Sequence, residues 1–157
     1  MIRPSIPEDG TEISKNIRLP DRNEIKLRYG LKPELALPLM ILSRRNKLSF
    51  TIEWNGMPHG IFGVSSASQN VGCPWFLSSA ELIASFKKTF VGESKQWLKV
   101  LYQDYDLLEN YILEENSVHI RWIQSLGFTL EERHEKFGVG KATFWKFRKI
   151  LNATKLY

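Results

Sequence analysis

Apolar and polar residues alternate most clearly between Leu48 and Val64. Phe50, Ile52 and Trp54 alternate with Ser49, Thr51 and Glu53, which predicts a strand with one apolar face. Asn55-Gly56 then supplies the pair of positive-φ residues that a tight hairpin needs, and Ile61, Phe62 and Val64 form the return strand. Gly60 and Gly63 leave room in that strand for a bulge or for close packing. Gly72 to Leu77 predicts a further strand with Pro74 near its start. Later, Tyr111-Ile112-Leu113 is a short apolar run bounded by Glu109 and by Glu114-Glu115-Asn116, the pattern of a buried strand. Thr129 to Phe137 and Ala142 to Ile150 flank Gly138-Val139-Gly140-Lys141 as a terminal hairpin, and Ile2-Arg3-Pro4 suits a short edge strand.

Helical periods lie between these strands. Ser14 to Tyr29 predicts two helical pieces broken near Pro20, with Asp21 capping the second and Gly30 closing it. Pro33 suits the first turn of a helix over Glu34 to Arg45, which Pro38 kinks or delays. Ser78 and Glu81 have capping-box spacing and open a helix with Leu82, Ile83, Phe86 and Phe90 on one face. Gly92 is placed as a break, followed by a second helical stretch carrying Trp97, Leu98, Leu101 and Tyr102. Asn116 or Ser117 caps a short helix on which Val118, Trp122 and Leu126 recur every four residues. Gly127 stops that helix and Phe128 packs back on it. Helices around a mixed, mostly antiparallel sheet make an α+β fold. No repeat or linker divides residues 1–157, so one domain is expected, with a basic tail from about 150 to 157.

Composition narrows the class. With 43% hydrophobic and 12% aromatic residues the chain is globular in character. No apolar run has the length of a membrane helix, and the acidic N-terminus has no signal-peptide core, so synthesis in the cytoplasm is expected. Cys73 stands alone, which excludes an internal disulfide and a multi-cysteine metal site. The net charge is +5, and residues 141–157 carry Lys141, Lys146, Arg148, Lys149 and Lys155 without one acid. That run is a solubilising end, or a contact for phosphates or an acidic partner.

Candidate chemistry is sparse. Glu109, Glu114 and Glu115 flank the central strand and offer a base, or keep the strand ends wet. His119 is a candidate base or ligand, or a packed histidine at a helix start. His59 and His134 sit on separate hairpins without metal spacing. Tyr111 and Tyr102 are candidate acids, or core and rim residues.

Two resemblances emerge from this order. The succession of elements resembles the GNAT acetyltransferase fold, as do the spacing from Asn116 to Gly127-Phe128 and the turn Gly56-x-Pro58-x-Gly60. More of the chain resembles the GNAT-like small internal virion proteins of short-tailed bacteriophages. The matching residues are Glu24-Ile25, Pro33-Glu34, Gly72 with Pro74-Trp75-Phe76-Leu77, Phe90-Val91 with Ser94 and Trp97, Asn110-Tyr111, Asn116, Ile120-Arg121-Trp122, Leu126-Gly127-Phe128, and Phe144 with Phe147.

The GNAT resemblance implies three requirements. Backbone N–H groups must cradle the pyrophosphate of acetyl-CoA, a base must take the amine proton, and an acid, commonly a helix tyrosine, must protonate the leaving thiolate. The family loop reads Gln/Arg-x-x-Gly-x-Gly/Ala. Thr89 to Ser94 keeps only its middle glycine, Gly92, and adds Glu93 where phosphates would sit. Gly92, Ser94 and Asn116 are the candidate cofactor contacts. Tyr111, Glu109 and His119 are the candidate catalytic residues, because alignment on Asn116 and Gly127-Phe128 puts Ile123 where the tyrosine would stand. The expectation is a non-catalytic scaffold inside a virion, made in the host cytoplasm and needing no cofactor. Its partners would be other internal virion, core or ejection proteins, with packaged DNA as a further contact through Lys141, Lys146, Arg148 and Lys149. The alternative is an acetyl-CoA-dependent N-acetyltransferase acting on a phage or host amine.

Overall fold

The computed structural model describes residues 1–155, with the backbone alone for residues 86–91 and 155. Seven strands form one sheet. They are β1 (Ile2–Pro4), β2 (Asn46–Trp54), β3 (Met57–Ser66), β4 (Val71–Ser78), β5 (Leu107–Leu113), β6 (Thr129–Phe137) and β7 (Ala142–Ile150). Their order is β1-β2-β3-β4-β5-β7-β6, and every pairing is antiparallel except β4 with β5. The helices are α1 (Pro7–Ser14), α2 (Leu19–Tyr29), α3 (Pro33–Leu42), α4 (Ala80–Tyr102) and α5 (Ser117–Ser125).

The two faces of the sheet hold two cores. Phe50, Phe62, Phe76, Leu98, Leu108 and Phe147 pack with α4 and α5 on one side. Ile13, Ile25, Leu37, Ile61 and Leu77 pack with α1 to α3 on the other. Phe76 and Leu77 are sequence neighbours with opposite faces, which is why β4 reads as a continuous apolar run and not as an alternation. Each large apolar side chain so buried contributes about 1.5–3 kcal/mol.

The hairpin turn follows its sequence signal, with φ of 49° at Asn55 and 72° at Gly56. Gly63 marks close packing: a Cβ there would stand 2.8 Å from the Trp75 ring and 2.9 Å from the Leu48 carbonyl.

Five expectations need correction. The first helix starts at Pro7, well before Ser14. The break between the two helices falls at 15–18, just before Pro20, which lies in the first turn of the second helix where a missing N–H costs nothing, but Asp21 is buried inside that turn, not capping it. The third helix ends at Leu42, because Ser43 is already extended at ψ 135°. The N-cap of α4 is Ser79, whose Oγ accepts from the Leu82 amide at 3.2 Å; the third helical residue is then Leu82, so no capping box forms with Glu81. Gly92 is no break: α4 runs unbroken from Ala80 to Tyr102, and burial of Leu82, Leu98 and Leu101 outweighs the roughly 1 kcal/mol a helical glycine costs. The side chains of Phe86 and Phe90, placed on the apolar face by the pattern, lie outside the described residues. On α5 the buried edge is His119, Ile123 and Leu126, with Val118 and Trp122 half-buried.

Candidate functional site

β4 and β5 pair only at Val71 with Leu107 and at Gly72 with Leu108. Beyond that the two parallel strands part, and Pro74 has no N–H with which to continue a ladder. Asn110 bridges the gap with its side chain, donating from Nδ2 to the Pro74 carbonyl at 2.8 Å. The gap opens into a cleft of about 560 Å³ that reaches both faces of the sheet. Glu24, Arg28 and Met40 line it on the α2–α3 side, and Tyr102, His119 and Ile123 on the α4–α5 side.

A buried polar cluster stands beside the cleft. Asp21 is fully buried, and its Oδ1 accepts from Asn116 Nδ2 at 3.1 Å and lies 3.3 Å from His119 Nδ1. Its Oδ2 accepts from the Ser78 amide at 3.3 Å, and the Arg18 guanidinium stands 3.6 Å from Oδ1. Arg18 also donates to Asn116 Oδ1 at 3.2 Å. Burial pushes the Asp21 carboxyl up to about 6, against the pull of Arg18, Asn116 and the Ser78 amide. Glu24 accepts from the Leu113 amide at 2.6 Å, and burial raises it to about 7. These contacts tie α2 to the ends of β4 and β5 and to the start of α5.

Of the candidate catalytic residues, His119 and Tyr111 line the cleft and Glu109 does not. Burial, with the Arg18 charge adding to it, pushes His119 down to about 3. The imidazole is therefore neutral at pH 7, with Nδ1 facing Asp21, and is a poor proton acceptor. Its ring packs 5.0 Å from Phe76. Tyr111 stacks on Phe137 at 4.2 Å, with the Arg28 guanidinium 5.7 Å from its ring. Glu109 is held by Arg148 at 3.2 Å and Lys146 at 3.6 Å. Tyr102 is raised by burial well above the usual phenol range. Ile123 is buried in the core that borders the cleft, where the resemblance would have a tyrosine.

The candidate cofactor contacts do not come together. Gly92 lies on an open side of α4, with nothing within 4 Å of where a Cβ would be, and Ser94 is buried within the same helix. Asn116 is at the start of α5 but makes no capping bond, since its side chain is engaged by Asp21 and Arg18. A pyrophosphate cradle would need free amides at the start of α4. There only Ser79 separates strand from helix. The Ser79 amide donates to the His59 carbonyl at 2.7 Å, the Ala80 amide to the Asn16 carbonyl at 3.4 Å and the Leu82 amide to Ser79 Oγ. Glu12 and Glu81 border the same depression, so its charge is wrong for an anion. The residues present do not fit the phosphates of CoA. Among the described residues no group of three or more His, Cys, Asp or Glu side chains could hold a metal.

Lys146 and Arg148 of β7 are matched by Glu109 and Glu131, and Lys149 donates to the Leu126 carbonyl at 2.7 Å. Within the basic run seen in sequence, Lys146 and Arg148 thus face carboxylates, whereas Lys149 meets a neutral carbonyl. Reading the sequence alone missed Arg18 and Asp21 as partners of Asn116. Their signal was positional, since residues 18, 21 and 25 share a helix face and Ile25 marks that face as buried.

A family model described as "Bacteriophage T7, probable scaffold protein Gp13" matches residues 52–135, more than half of the chain. The chain belongs to this bacteriophage family. No curated protein sequence matches it. Among solved structures, it is similar to a ribosomal-protein-alanine N-acetyltransferase from Brucella melitensis, at TM-score 0.72 and 16% identity over 96% of this chain and 99% of that one. It is similar to an acetyltransferase of the GNAT family from Streptococcus pneumoniae, at 0.63 and 14% over 97% and 99%. It is also similar to yncA from Salmonella typhimurium, solved with its cofactor acetyl-CoA, at 0.65 and 16% over 97% and 94%. At such identities the likeness establishes the GNAT fold and nothing of the chemistry.

Proposed function

We propose that this phage protein is an internal virion or assembly component, and that its whole chain serves as one GNAT-like domain for protein–protein contact without acyl transfer. The observation that carries this reading is the junction of β4 and α4. A single residue joins them, and the chain's own groups occupy the Ser79, Ala80 and Leu82 amides at the place where a nucleotide's phosphates would sit. Three further features agree. Isoleucine stands at position 123, His119 is held neutral, and the buried polar residues are engaged in joining elements. Phage proteins of the particle interior are the partners this reading names, and no acetyl-CoA is required.

One observation favours acetyl-CoA-dependent N-acetyl transfer to a phage or host amine: the strands do part, and Glu24, at about 7, borders the cleft. Such an enzyme would have to take CoA without a phosphate cradle.

The test is mass spectrometry of purified virions before and after DNA ejection. The scaffold reading expects the chain at fixed stoichiometry in full particles. Its absence from virions and from assembly intermediates would contradict the reading. Loss of the chain on ejection would place it among ejected components.

A further inference from the structure

The helix α3 is apolar on nearly every side, reading PELALPLMIL, yet the protein covers only part of it. Ala36 and Leu37 are buried, while Leu35, Leu39 and Leu42 are 54%, 51% and 64% exposed. Spaced by four and three residues, these leucines form one stripe. A helix apolar all round is ordinarily buried all round, and a contiguous exposed apolar patch marks an interaction site. The stripe continues into the cleft, because Leu39 and Met40 line its mouth together with Tyr29 and Leu31. Helix face and cleft mouth are one apolar surface, convex and then concave.

The segment that carries it is basic in sequence, with Lys47 lying over the Tyr105 ring of the other core and Glu24 lining the cleft as well. Residues 26–47 contain Lys26, Arg28, Lys32, Arg44, Arg45 and Lys47 against the single acid Glu34, and Glu34 is taken by Arg22 at 3.0 Å. None of those six cations has a carboxylate at ion-pair distance among the described residues, unlike Lys146 and Arg148 on β7. Arg28 and Arg45 stand at the cleft mouth itself.

We propose that the α3 stripe and the cleft mouth dock an acidic amphipathic segment of another phage protein. Its apolar residues lie along Leu35, Leu39 and Leu42, one side chain enters between Tyr29 and Met40, and its carboxylates meet Arg28, Arg44 and Arg45. The proposal rests on the protein-contact reading above and names the partner's chemistry. Apolar anchors at helical spacing suit such a groove, and complementary charge fixes which segment enters it. A second copy of this chain supplies no such segment through its acidic helix, since α1 buries Ile13 in its own core. A bilayer could cover the stripe but not send a side chain into the cleft, and a nucleic acid would leave the leucines wet.

The experiment places a photo-crosslinking amino acid at Leu39, or at Gln124 on the exposed side of α5 as control, in the full chain during phage infection. Crosslinked peptides are then sequenced. The expected result is a crosslink from Leu39 to a phage protein segment of net negative charge with apolar residues three or four apart. The double variant Arg44→Glu with Arg45→Glu, checked for an unchanged Tm, lowers that yield about tenfold or more, with Lys32→Glu as a substitute if the pair is destabilised. A yield insensitive to charge reversal overturns the proposal. So does a crosslink to lipid, nucleic acid, a second copy or a basic segment. Crosslinks from Gln124 without any from Leu39 overturn the docking surface and leave the protein-contact reading standing. No crosslink from either position ends both.

Discussion

Asn116 donates from Nδ2 to Asp21 Oδ1 at 3.1 Å, joining the start of α5 to α2 across 95 residues of chain. A side chain expected to cap its own helix, or to hold a cofactor, is instead part of a buried charge cluster. Its removal leaves the Asp21 carboxylate and the Arg18 guanidinium each short of a partner. Asn116→Ala is expected to cost about 2–4 kcal/mol, the penalty for stranding buried charged groups. Urea unfolding measures it, and a loss below about 0.5 kcal/mol would show that the cluster does not hold these elements together.

Glu24 links α2 to β5 through the Leu113 amide, and its folded pKa of about 7 stands above its ordinary value of 4.5. The native state therefore holds that proton more tightly than the unfolded chain. Its contribution is complete below about pH 4.5 and is lost as pH rises through about 7, on the order of 1–3 kcal/mol. Asp21, raised to about 6, acts in the same direction, whereas His119, lowered to about 3, acts oppositely below 6.5. Comparison with Glu24→Gln isolates the Glu24 share. The stability of the wild type relative to that variant should fall between pH 4 and pH 8, and a flat difference would contradict the assignment.

The two glycines Gly10 and Gly92 should respond in opposite directions. A Cβ at Gly10 would lie 2.8 Å from the Pro38 nitrogen and 2.9 Å from the Leu37 carbonyl carbon, so α1 and α3 would have to move apart. Gly10→Ala is expected to destabilise by about 1–3 kcal/mol. At Gly92 the space is open and the backbone helical, so Gly92→Ala should stabilise by about 0.4–1 kcal/mol. Thermal melts of both variants decide this, and a destabilising Gly92→Ala would revive the idea of a special loop there.

Much of this architecture was legible beforehand, for definable reasons. The hairpin at Asn55-Gly56, the terminal hairpin and the stop at Gly127 are local devices, fixed by positive φ or by strict alternation, and they stand where the pattern put them. The cap at Asp21 and the helix boundaries near Ser79 and Gly92 went differently because tertiary contact decided them. Burial of Asp21 and packing of Leu98 and Leu101 override local propensity. The site was the least legible part. Arg18, Asp21, Asn116 and His119 meet only after the sheet has formed; the spacing of residues 18, 21 and 25 marks a buried face of α2 but does not name its partners on β4 and α5.

Ile123 tests whether the missing acid alone separates this chain from an enzyme. Ile123 is buried at the wall of the cleft, so the larger ring of Ile123→Tyr must turn into the cleft or strain the core beside it, and it should cost at most about 1–3 kcal/mol. With the Ser79, Ala80 and Leu82 amides at the start of α4 already taken, it should yield no turnover of acetyl-CoA in a thiol-release assay with amine acceptors. Turnover by this variant would mean that cofactor binding had survived.

The central claim is that a GNAT scaffold persists here without its cofactor. Isothermal titration calorimetry of the purified chain with acetyl-CoA and with CoA tests it most directly. The account predicts no heat of binding with either. Saturable binding in the micromolar range, with thiol release on addition of an amine, would contradict it.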